Sequence, residues 1–89
     1  MQFAWSEHKA RANALKHGVS FAEATTVFGD PLAATVSDPD NSDLEFRFLT
    51  MGLSSRGRLL VVSHTEEGLV FRLISAREAS KYEKTRYEA

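Results

Sequence analysis

From residue 45 onward the chain alternates apolar segments with linkers too short for anything but a turn, and this constrains its fold most. The segments, at about Glu45–Leu53, Leu59–His64 and Leu69–Ser75, are rich in β-branched, aromatic and leucine side chains. The linkers are Ser54-Ser55-Arg56-Gly57-Arg58 and Thr65-Glu66-Glu67-Gly68. A parallel connection takes about a dozen residues or more, so short glycine-containing linkers turn each strand back against the one before. Leu32–Val36, short and partly β-branched, reads as a further strand, followed by a loop at Ser37–Asp43 (Ser-Asp-Pro-Asp-Asn-Ser-Asp). Met1–Trp5, ending in large aromatics, reads as the first strand.

Between these strands the signals are helical. Ser6 can cap a helix from Glu7 to about Lys16, which Gly18 stops. Ala10, Ala12, Ala14 and Leu15 give it high propensity and a thin apolar stripe. Ser20-Phe21-Ala22-Glu23 fits a capping box, and Phe21, Ala24, Thr25 and Phe28 form one helical face. Gly29-Asp30-Pro31 closes that helix. Ser75-Ala76-Arg77-Glu78 fits a second capping box, opening a last helix to about Tyr87. The order is strand, two helices, four strands, helix. That is an α+β fold, a mainly antiparallel sheet packed with two N-terminal helices and one C-terminal helix, expected as a single domain over residues 1–89.

Composition narrows the class. With no cysteine there is no disulfide framework, thiolate metal site or cysteine nucleophile. A hydrophobic content of 43% is too high for a disordered chain. The longest apolar run, Leu59–Val62, is far below the ~20 residues needed to cross a bilayer. Met1-Gln2-Phe3-Ala4-Trp5 has neither the basic start nor the apolar middle of a signal peptide, so a cytoplasmic protein is expected. The net charge of −1 hides a polarised chain. Residues 1–45 hold three basic and seven acidic side chains, whereas residues 46–89 hold eight basic and five acidic. A polyanion responds to the local field, so the second half can still serve one.

Several residues in that half are candidates for chemistry. Alternation places Arg72 on one face with Val70 and Ile74, and Arg47 on a face with Leu49 and Met51. The two arginines are expected to share a sheet face, unless each pairs with an acid or reaches out to the sheet edge. Arg77, read as the start of the last helix, would stand beside amides that favour an anion. His64, read as a strand end, has an ordinary pKa suited to proton transfer near neutrality, or is a plain surface residue. His8 and His17 form no helical ligand pair, so no metal and no cofactor is expected. Lys81, Lys84 and Arg86 alternate with Tyr82 and Tyr87 on the last helix, a mixture that suits single-stranded RNA or a solvated face.

The chain resembles the BrnT toxin family. Phe3-Ala4-Trp5-Ser6-Glu7-x-Lys9 is similar to its F-x-W-[D/N]-x-x-K start, with Ser6 in place of the usual acid or amide. Asn13-Ala14-Leu15-Lys16-His17-Gly18-Val19-Ser20-Phe21-x-Glu23-Ala24 resembles its N-x-x-K-H-G-[VI]-x-F-x-E-A core, and Phe28-x-Asp30-Pro31 follows. Arg47, Gly52 and Arg72-Leu73-Ile74-Ser75-Ala76-Arg77-x-Ala79-Ser80 come later, with Glu83 and Tyr87 resembling the E-x-x-x-Y ending. Tyr82 stands where a basic residue is common.

The resemblance implies a RelE-like fold and an endoribonuclease toxin that inhibits translation and growth. It also implies a BrnA-like ribbon-helix-helix antitoxin, operator DNA contacted only through that antitoxin, and a toxin dimer within the complex. Metal-independent RNA cleavage uses the 2′-hydroxyl as nucleophile and needs proton carriers and cations around phosphorus. Arg72 and Arg77, then Arg47, are expected to stabilise the phosphate, and His64 to carry a proton. Lys16 and His17 either bind RNA or terminate their helix. Lys81 and Tyr87 are expected at the RNA, though Tyr87 can equally pack down. The acidic loop Asp38–Asp43 is expected to temper non-specific polyanion binding. Two other readings stay open on sequence: a non-catalytic co-repressor module, and a toxin with another target such as DNA gyrase.

Overall fold

The computed structural model describes residues 1–41 and 45–88, so Ser42 and Asp43 of the expected loop lie outside the described residues. Strand β1 (Gln2–Ala4) leads to helix α1 (Glu7–His17) and helix α2 (Phe21–Thr25), which tightens into a 3₁₀ turn at Thr26–Gly29. Strands β2 (Ala34–Ser37), β3 (Phe48–Leu53), β4 (Leu59–Glu67) and β5 (Val70–Glu78) precede helix α3 (Lys81–Glu88). The local signals explain α1 at both ends. Ser6 Oγ accepts from the Lys9 N–H, and Gly18 closes the helix at φ 69°. The Ser20 box forms only by half. Ser20 Oγ accepts from the Glu23 N–H at 3.0 Å, while the Glu23 carboxylate turns away to Arg58 and Ser54.

The five strands form one sheet in the order β1-β5-β4-β3-β2. The pairs β2–β3, β3–β4 and β4–β5 are antiparallel, as the linker lengths require, and β1 is parallel to β5. Two strands run longer than their sequence signals. Glu66 and Glu67 belong to β4 and pair with Phe71 and Val70, because the turn needs only Gly68 and Leu69, with Gly68 at φ 62°. At the other end, Ser75–Glu78 stay in β5 and open no helix. Pairing with β4 and burial of Ala76 outweigh the local cap, and the Ala79 N–H continues to Leu59 O. The working capping box is Ser80 with Glu83: each side-chain oxygen accepts from the other residue's N–H, at 3.2 and 2.8 Å.

Alternation sorts the apolar residues onto two faces. Leu60, Val62, Leu73 and Ala76 pack with Val19, Phe21, Ala24 and Val27 on the inner face, beneath the two N-terminal helices. Each large side chain sealed there contributes about 1.5–3 kcal/mol. On the outer face Leu59, Val61 and Ala79 meet Leu49, Met51 and Tyr87. Gly52 is needed at a close approach, since a Cβ there would lie 2.9 Å from Ala33 Cβ. β1 accompanies β5 only as far as Arg72. Beyond it α1 lies against the strand, and Asn13 acts as a substitute neighbour. Its Nδ2 donates to Ala76 O at 2.8 Å, and its Oδ1 accepts from the Ala76 N–H at 3.0 Å.

Candidate functional site

Arg72 and Arg77 are five residues apart, and in a regular strand an odd separation puts side chains on opposite faces. A bulge changes this. Ser63 pairs with Ser75 and His64 with Leu73, which leaves Ile74 as an extra residue on β5. Arg72 therefore pairs with Thr65 and Arg77 with Val61, two β4 residues four apart and so on the same face. Leu49 pairs with Ser63, and Arg47, two residues earlier, lines the same open cleft as Leu49, Ser63, Ser75 and Arg77. The cleft has a volume of ≈ 350 Å³, and Asp38 also reaches it. The expected sharing of a face by Arg47 and Arg72 holds. Arg77 joins them as a strand residue, and its expected position at a helix start is corrected.

Each arginine is held in place by an acid. Arg72 Nη2 lies 2.5 Å from Glu45 Oε2, and Glu45 Oε1 is 3.7 Å from Arg47 Nη2. Arg77 forms a two-pronged pair with Glu83, at 2.7 and 3.0 Å. The hydrogen bond from Arg77, with further help from the Ser80 amide, lowers the Glu83 pKa to about 2. The bond from Arg72 likewise lowers that of Glu45, to which Lys9 and Arg47 add attraction. Lys9 is thus close enough to be felt at the arginine face, although the sequence marked it only as the lysine of the Phe3–Lys9 motif and not as a site residue. Seven residues apart, Lys9 and Lys16 share one side of α1. With His17 they line a second cleft, of ≈ 240 Å³, whose other wall is Ile74 and Ser75.

His64 departs most from its expected position. It sits within β4, fully buried, not at a strand end on the surface. Its ring stacks between Phe71 and Phe48, with centroids 5.2 and 6.0 Å away, and meets Phe28 edge-on at 5.0 Å. Nε2 is 2.7 Å from Thr50 Oγ1, which is 2.7 Å from Thr35 Oγ1. So enclosed, the ring does not reach a substrate on the outer face. Burial lowers its pKa, opposed by the Thr65 carbonyl and Glu66. A lowered folded pKa means that the unfolded chain takes up this proton first. Stability is therefore full above pH ~6.5 and falls as pH drops below it, by at most about 1.4 kcal/mol per pH unit for one proton. Denaturant midpoints between pH 8 and 5.5 should show this slope, and His64→Gln should flatten it.

The remaining expectations divide. Tyr87 packs down, one of the two placements expected for it: it lies against the outer apolar cluster, and its hydroxyl donates to Asp30 Oδ2 at 2.5 Å. Lys81 is exposed at the start of α3 and lines neither cleft, so it is not gathered with the arginines. Among the described residues, no three His, Asp or Glu side chains come together as a metal cluster would require.

Fold and face together define a small α+β protein that presents three arginines, each beside an acid, on one face of its sheet. Residues 5–83 match the family model described as the ribonuclease toxin BrnT of type II toxin–antitoxin systems. The chain belongs to this BrnT family and is a ribonuclease toxin of a type II toxin–antitoxin system. The crystal structure of the Brucella abortus ribonuclease toxin BrnT is similar, with a TM-score of 0.66 at 25% identity. The match covers 91% of this chain and 99% of that one. No curated protein matches the sequence. No helix among the described residues is long and apolar enough to cross a membrane.

Proposed function

We propose that this toxin cleaves RNA without a metal, by attack of a ribose 2′-hydroxyl on the adjacent phosphate held over the outer sheet face. The presence of Arg47, Arg72 and Arg77 on one sheet face, Arg77 by way of the β5 bulge, carries this reading. Arg47 and Arg77 line one cleft and Arg72 stands on the same face beyond it. Charge-assisted hydrogen bonds from such cations strengthen toward the transition state as charge accumulates on phosphorus. A guanidinium has five N–H donors, and Glu45 engages Arg72 through one nitrogen. Arg72 can therefore take a phosphate oxygen while Glu45 keeps it in place. His64 has a structural role in this scheme. Lys16 and His17 line a cleft that shares Ile74 and Ser75 with the arginine cleft, and in this scheme they handle protons and flanking phosphates.

The partner in this reading is a BrnA-like ribbon-helix-helix antitoxin, which binds a toxin dimer and alone contacts operator DNA; the site of action is the cytoplasm. Purified toxin should fragment single-stranded RNA in the presence of EDTA. Arg72→Ala and Arg77→Ala, both at partly exposed positions, should each reduce cleavage by roughly 100-fold or more, the scale of losing one transition-state donor. Circular dichroism should show both variants folded. Wild-type toxin that leaves RNA intact in EDTA would overturn the mechanism; loss of folding in both variants would return the arginines to a structural role.

A further inference from the structure

The cleft between α1 and β5 carries chemistry that the arginine face lacks. Lys9, Lys16 and His17 stand on its rim, and Ala12 and Ile74 are its apolar part. No carboxylate lines it, and among the described residues neither lysine forms an ion pair, whereas Arg72 and Arg77 each have one. Its β5 wall, Ile74 and Ser75, is also a wall of the arginine cleft, so the two meet across one bulged segment. The wall on α1 is fixed in position, because Asn13 holds the helix both to β5 and to Val19 O.

We propose that this cleft is a second nucleotide subsite, which takes the phosphate and sugar adjacent to the phosphate on the arginines. The inference rests on the ribonuclease reading above and specifies its substrate: a single strand long enough to pass over Ile74 and Ser75. The cationic rim meets the phosphate and the apolar part meets the sugar or base. A single strand bends over the bulged ridge between the clefts, which a stiff duplex does not. Among the described residues the lysines stand in no ion pair and attract the strand without first breaking one, Glu45 offsetting only part of the field of Lys9. The acid-bound arginines then engage the reacting phosphate. Binding affinity is thereby weighted toward the α1 cleft and chemistry toward the arginine cleft.

The test measures binding without cleavage, using 2′-O-methyl single-stranded oligonucleotides of about two and six nucleotides over a range of salt concentrations. Two contacts to a single strand release counterions with a slope of about 0.7 each, so Lys9→Gln/Lys16→Gln should lower the salt slope for the longer strand by about 1.4 and its affinity roughly ten-fold. The shorter strand should bind both proteins equally. Lys84→Gln/Arg86→Gln, which removes the same charge from α3, is the control. Unchanged slope and affinity in the α1 variant, or an equal loss in the control, overturns the subsite while leaving the ribonuclease reading intact. Wild-type toxin that binds neither strand overturns both.

Discussion

Glu23→Ala is expected to destabilise the toxin by about 3 kcal/mol or more and to lower its Tm by on the order of 15 °C. The Glu23 side chain is 4% exposed. Its carboxylate accepts from Arg58 Nε and Nη2 at 3.0 and 2.5 Å and from Ser54 Oγ at 2.7 Å. Arg58 also donates to Gly18 O, so the pair fastens the turn between β3 and β4 to the junction of α1 and α2. Removing the acid leaves a cation in that junction with Gly18 O and, 3.8 Å away, Glu78. Arg58 keeps some access to water, which places the loss toward the low end for a buried pair. Replacing both partners by methionine should recover much of the stability, because an apolar pair leaves no unpaired charge. The hydrogen bonds from Arg58 lower the Glu23 pKa, so the contribution is present above pH ~4.5 and fades as pH falls toward the folded value. Denaturant midpoints of wild type, single and double variants decide the matter; a double variant as unstable as Glu23→Ala would mean that shape, not charge, holds the junction.

The parts of this fold legible in sequence are those set by local chemistry. Short glycine linkers allow only antiparallel neighbours, and β3, β4 and β5 obey. Ser6 and Gly18 bound α1 because a hydroxyl and a missing Cβ act within one turn. The sharing of a face by Arg47 and Arg72 follows from the pleat alone. Arg77 is different: five residues from Arg72, it reaches the same face only through the extra residue Ile74, and no glycine or proline marks that bulge. Two capping boxes, Ser75–Glu78 and Ser80–Glu83, compete in the same stretch. The choice between them is made by pairing with β4, which lies far away in sequence.

His64 was partly legible. Counting alternate residues from Leu60 and Val62 places it on the inner face. Its enclosure, however, needs Phe28, Phe48 and Phe71 from three separate elements. Lys9 was also within reach, since Lys9 and Lys16 are spaced for one helix face. What the spacing does not contain is that this face borders β5. Chemistry at phosphorus is implied by the family resemblance alone, whereas side-chain alternation along the segments Glu45–Leu53 and Leu69–Ser75 singles out Arg47 and Arg72 as cations among apolar neighbours.

Asn13→Leu is expected to cost on the order of 3–5 kcal/mol, since one side chain satisfies three backbone groups, each worth about 1–3 kcal/mol if left unpaired and buried. Nδ2 donates to Val19 O and Ala76 O, and Oδ1 accepts from the Ala76 N–H, so this amide supplies what a sixth strand would supply. Leucine has a similar size and offers nothing to those groups. Asn13→Asp tests the logic through pH. A carboxylate can still accept from the Ala76 N–H, but it confronts two carbonyl oxygens that have lost their donor. A protonated carboxyl can donate to one of them, so the folded state favours the proton and the acid's pKa rises. With a raised folded pKa, Asn13→Asp should lose stability relative to wild type as pH rises through that value and regain part of it near pH 5. The comparison must be made with wild type at each pH, because His64 makes the parent itself less stable in acid. Equal destabilisation at pH 5 and pH 8 would show that the loss is one of packing. Because Asn13 also fixes the wall of the α1 cleft, the aspartate variant should recover affinity for the longer oligonucleotide in parallel with its stability, linking closure of the sheet edge to the geometry of the subsite.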